Sequence, residues 1–446
     1  MHIAEYIYAH RLSVLLAYKS RHVAAVVRCH SYISKYFSSI LLFDMRRFER
    51  IHDVVEYVED YKIGGYHPVH LGDVFHQRYE IIGKWAYGEF STVWLARDQR
   101  LQRDATLKIL KSAFGENSKE LSILNELSNS KKTHVGKEHV ISLLDHFEHE
   151  GPNGVHLCLV FPVMMSDGQV MTDRSKARNA SFVREVSKQI ILGLDFLHQN
   201  NVIHSGNIPN HDFKDQRGLL IVLLDLQPAN ILFTVNEEQY QGSLLPPAFS
   251  PVQWLPGVTP DSSAPEYLMT SQRPHGMLDD ADFSSLVVKI GDLGGGKLVY
   301  SVLFKIILTY RGPHQPTTAV RTNDFSSPLC TPLGLRAPEI IEPHVWDEKV
   351  DIWALGCLIF QLATNEALFP LFPCDNSAEE LRESLRALIQ QVMGNGDKSF
   401  AMHVGEMLPN FGSKDKEEFV SFLSSMLQQC PQRRSSTSAL LKHQSL

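Results

Sequence analysis

The hydrophobic rhythm of this chain changes once. Between Tyr79 and Val163 the apolar positions fall in short β-branched or aromatic runs bounded by turn residues, which predicts strands at Tyr79–Gly83, Ser91–Arg97, Ala105–Leu110, Val140–Phe147 and Val155–Val163. One helix interrupts them, Lys119–Leu127, with Leu121, Leu124 and Leu127 at spacing three. Beyond Val163 the helical period dominates, in Phe182–Gln199, Lys349–Leu362, Ala378–Val392 and Lys416–Gln428. A small β-rich part followed by a large helical part predicts an α+β fold over residues 79–446. It would have two lobes, 79–163 and 164–446, facing each other across a cleft.

Three stretches break the pattern. Residues 1–43 carry Arg11, Lys19, Arg21, Arg28 and Lys35 against one acid, Glu5. That composition reads as a mitochondrial transit peptide, or else as a disordered tail or a mis-assigned start. Residues 44–78 form a lead-in of mixed charge, ending in a Gly-Gly-Tyr-His-Pro run at Gly64–Pro68. Residues 246–277 are rich in Pro, Ser and Gly and read as a loop inside the second lobe.

Composition narrows the function by exclusion. The 446 residues carry a net charge of −7, which gives no footprint for direct nucleic-acid or anionic-membrane binding. No apolar run reaches the ~18 residues of a membrane span. The six cysteines are scattered, with no Cys-x-x-Cys pair, so a zinc site or disulfide framework is not expected. A reducing compartment, cytoplasmic or nuclear, suits them. A monomer is expected.

The candidate chemistry runs in a fixed order along the chain. Trp85 to Trp94 reads as a glycine-rich turn between two strands, with Ala86 where a first glycine would stand, Gly88 as the second, and Val93 after it. Glycine there lets backbone approach phosphate closely. Lys108 lies inside the apolar strand Thr106–Leu110, where an unpaired ammonium would be costly, and Glu120 at the start of the next helix is its natural partner. Asp225-Leu226-Gln227-Pro228-Ala229-Asn230 precedes an apolar strand, and Val288–Ile290 leads into Gly291-Asp292-Leu293-Gly294. Phosphoryl transfer requires cations and positioned carboxylates around spreading oxygen charge. In that scheme Lys108 contacts the phosphates of ATP, Asn230 and Asp292 hold Mg2+, and Asp225 accepts or orients the proton of the attacking hydroxyl. Farther on, Ala337-Pro338-Glu339, Asp351 in an Asp-x-Trp-x-x-Gly helix, and Arg434 form a structural set. Glu339 and Arg434 are expected to pair, and Asp351 to brace the backbone of the catalytic loop. This set favours a protein substrate over a small molecule.

Gly65–Asp73, Phe90–Ala96, Leu293–Gly296, Leu333–Glu339 and Asp351–Ala363 together resemble the serine/arginine-rich (SR) protein kinases and their fungal SRPK-like relatives. The resemblance covers roughly Tyr61 to Leu446. It implies a bilobal Ser/Thr protein kinase of the CMGC group that uses ATP and magnesium, with SR-type splicing factors as substrates in the well-known members. It also implies a gatekeeper at Phe161 and a hinge at Pro162, Val163 and Met164.

The chain departs from that pattern in several places. Thr106 stands where an alanine above adenine is usual, and Gln227 where Ser/Thr kinases keep a lysine for the γ-phosphate. Residues 206–224 separate His204 from Asp225, and residues 298–311 lengthen the stretch from Gly294 to Ala337. Excising 206–224 would join His204-Ser205 to Asp225-Leu226 and restore His-x-Asp-Leu-x-x-x-Asn. These inserts read either as retained intron sequence or as genuine insertions that would make a pseudokinase or scaffold.

Overall fold

The computed structural model describes residues 46–116, 118–172, 178–200, 202, 226–234, 244–273, 285–294, 332–341, 347–371, 377–394 and 397–446. Asp225, His204 and both inserts lie outside the described residues.

The first lobe is a six-stranded antiparallel sheet in the order β1-β2-β3-β4-β6-β5. Its strands are β1 (Val74–Phe75), β2 (Tyr79–Tyr87), β3 (Ser91–Asp98), β4 (Arg103–Leu110), β5 (Asp145–Gly151) and β6 (Gly154–Phe161). Each sequence-predicted strand falls on one of these, with one shift. The run beginning at Val140 enters its strand only at Asp145, because Val140 instead makes an isolated parallel bridge to Ile290. Helix α1 (Lys119–Ser128) starts at an N-cap, Ser118, whose side chain accepts from the Leu121 amide. The cap fixes the first turn, and with it Glu120, whose charge suits the positive end of the helix.

After the hinge come β7 (Ser166–Asp167), α2 (Gly168–Thr172) and the long α3 (Ala180–Gln199), capped by Asn179 through the Phe182 amide at 2.8 Å. Strand β8 (Ile231–Thr234) lies between β7 and β11 (Val287–Ile290) in a second sheet. Between β8 and β11 the chain forms a hairpin of β9 (Phe249–Pro251) and β10 (Tyr267–Met269). Helices α4 (Pro338–Ile341), α5 (Lys349–Thr364), α6 (Ala378–Met393), α7 (Asp397–Glu406), α8 (Ser413–Met426) and α9 (Thr437–Leu440) complete the second lobe. Helix α5 is buried nearly all round, so its sequence reads as a continuous apolar run with no polar face.

The region read as a loop over 246–277 differs most from expectation. Its described part, through Arg273, is a hairpin that leaves the second lobe and packs against the first. Phe48, Val58, Tyr61, Tyr66 and Leu268 form one buried cluster with Trp254 against it. Met269 enters the core on the outer side of the six-stranded sheet. The physical reason is the Tyr267-Leu268-Met269 run, whose side chains find two different apolar surfaces, a signal that the surrounding Pro, Ser and Gly obscure. No helix among the described residues is long and apolar enough to cross a membrane.

Candidate active site

The cleft is built around strand β4. In its antiparallel register Lys108 sits opposite Val93 on β3 and Leu159 on β6, and Thr106 opposite Phe161. Residues two apart on a strand share a face, so Thr106 and Lys108 point the same way. Lys108 Nζ lies 2.9 Å from both carboxylate oxygens of Glu120 and 3.0 Å from Oδ1 of Asp292. Burial alone would lower the Lys108 ammonium, but the charges of Asp292 and Glu120 outweigh it and the net shift is upward. Burial raises Glu120, and the Asp292 charge adds to it against the pull of Lys108, because one ammonium serves two carboxylates.

The backbone brings Asp292 there by an uncommon route. Its φ is +48°, a left-handed conformation that Asp tolerates better than most residues. Leu293 is then fully buried in the core. At Gly294 a Cβ would lie 2.7 Å from the Cβ of Glu120, so only glycine lets helix α1 approach closely enough for its glutamate to share Lys108 with Asp292.

Asn230 reaches the same place from the neighbouring strand. Ile231 on β8 pairs with Ile290 on β11, and the Gly291 amide donates to the Asn230 carbonyl at 2.8 Å. The buried Asn230 and the half-exposed Asp292 therefore flank one sheet end. An amide and a carboxylate are hard oxygen donors, a fit for Mg2+ that completes its shell with water and phosphate oxygens. Asp225 lies outside the described residues; its neighbour Leu226 is buried in the core.

Gly88 closes the β2–β3 turn, its amide bonded to the Ser91 carbonyl at 2.9 Å. A Cβ at Gly88 would meet nothing within 4 Å, and its φ is not in the left-handed region. The glycine is thus not demanded by the turn itself and leaves the backbone open to close approach. Phe161, expected as the gatekeeper, and Val163 and Met164, expected in the hinge, are all buried at the junction of the lobes.

Beneath the cleft, Arg434 and Glu339 form a bidentate pair, Nη1 to Oε1 at 2.5 Å and Nη2 to Oε2 at 2.7 Å. Arg434 also donates to the carbonyls of Gln428 and Lys349, both at 2.8 Å. Asp351 Oδ2 meets His198 Nε2 at 2.7 Å, which ties α5 to the end of α3. The backbone that Asp351 was expected to brace lies mostly outside the described residues.

Further contacts hold the strands that frame the cleft. The Tyr66 hydroxyl donates to the Gly88 carbonyl at 2.6 Å, so the lead-in clamps the glycine turn. Lys84 on β2 and Glu56 make a fully buried ion pair on the outer side of the sheet, over the Trp94 ring. The Thr106 hydroxyl donates to the Pro162 carbonyl at 3.2 Å, and the Trp85 indole N–H to the Met164 carbonyl at 2.9 Å. The Gly-Gly-Tyr-His run was a signal for the first of these; the others depend on contacts between distant residues.

Known protein kinases are similar to this chain in sequence. The protein kinase domain profile matches residues 77–208 and 278–446, more than half of the chain, and passes over 209–277, where Asp225 and Asn230 lie. The serine/threonine-protein kinase SRPK of Physarum polycephalum is 29% identical over 395 residues, covering 82% of this chain and 78% of that protein. Protein kinase dsk1 of Schizosaccharomyces pombe is 26% identical over 418 residues, covering 79% and 73%. SRSF protein kinase 3 of Homo sapiens is 32% identical over 185 residues, 40% of this chain and 29% of that protein. The chain belongs to the protein kinase family and is a serine/threonine kinase of the SR-protein-kinase-like kind.

Proposed function

We propose that this kinase transfers the γ-phosphate of ATP to serine hydroxyls in Arg/Ser-rich protein segments of the SR splicing-factor type, acting in the cytoplasm or nucleus. The observation that carries the reading of the site is Lys108, bonded at once to Glu120 on α1 and Asp292 beyond β11. In this reading Lys108 holds the α- and β-phosphates, and Glu120 keeps its ammonium from swinging away. Gly88 and Val93 cover the nucleotide, and Phe161, Val163 and Met164 border the adenine. Asn230 and Asp292 would hold Mg2+, which when bound supplies positive charge to the phosphate oxygens. Asp225 accepts the proton of the attacking hydroxyl and orients its oxygen toward the γ-phosphorus. Gln227 offers a hydrogen bond but no charge at the γ-phosphate, so turnover is slower than with lysine there. The SR substrate is supported by the names of the relatives SRPK and SRSF protein kinase 3.

The test is transfer of radiolabelled phosphate from ATP to an Arg/Ser-repeat peptide, compared with a peptide whose serines are flanked by acidic residues. Incorporation into the first that disappears with Asp292→Ala supports the proposal. Equal use of both peptides would sink the substrate assignment, and no incorporation into either would sink the roles given to the site.

A further inference from the structure

We infer that Trp85 is a gate at the adenine end of the cleft, which a nucleotide must lift from the hinge in order to bind. The inference rests on the nucleotide-cleft reading above. It starts from an irregularity in strand β2. Lys84 pairs with Trp94 and Ala86 with Val93, so the ladder slips by one residue and Trp85 is the residue left over. A bulge of this kind re-aims the extra side chain and leaves its backbone groups without ladder partners. Here the partners come from the segment that returns from the β9–β10 hairpin. The Ser271 hydroxyl donates to the Trp85 carbonyl at 2.6 Å, the Gln272 amide donates to the Lys84 carbonyl at 2.8 Å, and the Lys84 amide donates to Gln272 Oε1 at 3.2 Å. On its other side Arg273 bonds Asp167 at 2.6 Å, just past the hinge. The bulge is thus patched by a strap anchored in the second lobe.

Held this way, the indole crosses to the hinge. Its N–H, a donor only, bonds the Met164 carbonyl, while the Thr106 hydroxyl bonds the carbonyl of Pro162. The carbonyls of Pro162 and Met164 are therefore engaged by the protein's own donors. Trp85 is 4% exposed, Met164 5% and Thr106 6%, so the indole fills the roof of the site and does not stand beside it. A purine ring carrying an exocyclic amine competes for the same acceptors and the same volume. Affinity for nucleotide is accordingly lower than the rest of the cleft would give, and it depends on the strap.

The experiment is titration calorimetry of ADP into the full chain, with melting temperature recorded for each variant. Trp85→Leu removes both ring and donor and is expected to bind ADP about tenfold more tightly. Trp85→Phe is expected to tighten binding about threefold, and Ser271→Ala, which loosens the strap, about twofold. In wild-type protein labelled with 5-fluorotryptophan, the Trp85 fluorine resonance, identified by its absence in Trp85→Phe, is expected to shift on ADP saturation. This second readout stands if Trp85→Leu fails to fold. Unchanged or weaker ADP binding by Trp85→Leu, or an unmoved resonance at saturation, overturns the gate while leaving the nucleotide site intact. Absence of ADP binding in every variant would instead overturn the cleft reading, and the gate with it.

Discussion

Among the described residues, two buried ion pairs, Lys108 with Glu120 in the cleft and Arg434 with Glu339 in the floor beneath it, differ in what surrounds them. The Arg434 side chain is completely buried, and its fork meets one carboxylate with two parallel bonds. Its remaining donors go to backbone carbonyls. The cleft pair is a triad with one cation and two carboxylates, and the second carboxylate, Asp292, has a side chain 46% exposed. A dry, fully satisfied pair is rigid and serves the fold. A triad with surplus negative charge and an open side can exchange partners, as a site that admits metal and phosphate must.

The sharpest way to break this comparison is Arg434→Ala. Leaving Glu339 buried and unpaired is expected to cost about 3–5 kcal/mol of stability, measured by denaturant unfolding. The double variant Glu339→Leu with Arg434→Met is expected to recover most of that loss, since a packed apolar pair replaces the ions. Lys108→Ala should behave in the opposite sense. Phosphate transfer is expected to fall about 10²–10³-fold, with a smaller loss of stability than Arg434→Ala produces, because Asp292 is open to solvent and Glu120, already pushed up by burial and the Asp292 charge, takes up a proton when its cation is lost. If both variants lose stability equally, the distinction between the pairs is wrong.

A gain is expected from Gln227→Lys, which in the proposed site places a cation at the γ-phosphate. Turnover should rise about tenfold with little change in the KM for ATP, and an unchanged rate would show that charge at this position is not limiting.

Acid separates the lobe that carries the cleft pair from the floor. On the outer side of the six-stranded sheet the His67 ring packs edge to face against His149 and His156. Burial, reinforced by the other two, pushes His67 down to about 3, and burial lowers His149 and His156 as well. Their folded values lie below the unfolded one, so as pH falls below about 6.5 the unfolded chain takes up protons that the folded chain refuses. Stability is therefore full above that pH and declines toward pH 3, by about 1.4 kcal/mol per pH unit for each fully suppressed group. The melting temperature at pH 5.5 is expected to lie below that at pH 7.5; equal values would mean that the histidines charge freely in the fold.

The smallest effect is expected from Tyr66→Phe, which frees the Gly88 carbonyl and leaves the ring in place. An increase of about fivefold in the KM for ATP, with the peptide KM unchanged, matches the loss of one hydrogen bond of roughly 1 kcal/mol. A change in both constants would place Tyr66 in general packing and not in the turn over phosphate.

The residues of the cleft triad could be read from sequence because each belongs to a local pattern. Lys108 stands out as a charge within an apolar strand, Glu120 follows a helix start, and Asp292 ends a run of β-branched residues. Their meeting could be expected from motif order. What the sequence does not contain is the reason they meet at hydrogen-bonding distance, namely the missing side chain at Gly294 and the left-handed turn at Asp292.

By itself, then, the sequence determined the two-lobed plan, the order of the motifs and the residue types of the candidate site, since period and spacing are properties of short segments. Only the tertiary structure decided that the Pro-rich segment after β8 crosses back to the first lobe. The same holds for the strap that patches a bulge at Trp85, the clamp of Tyr66 on Gly88, and the engagement of the Pro162 and Met164 carbonyls by side chains. Those contacts join residues from about 20 to nearly 190 positions apart, and no local pattern records where a chain will return after a long excursion.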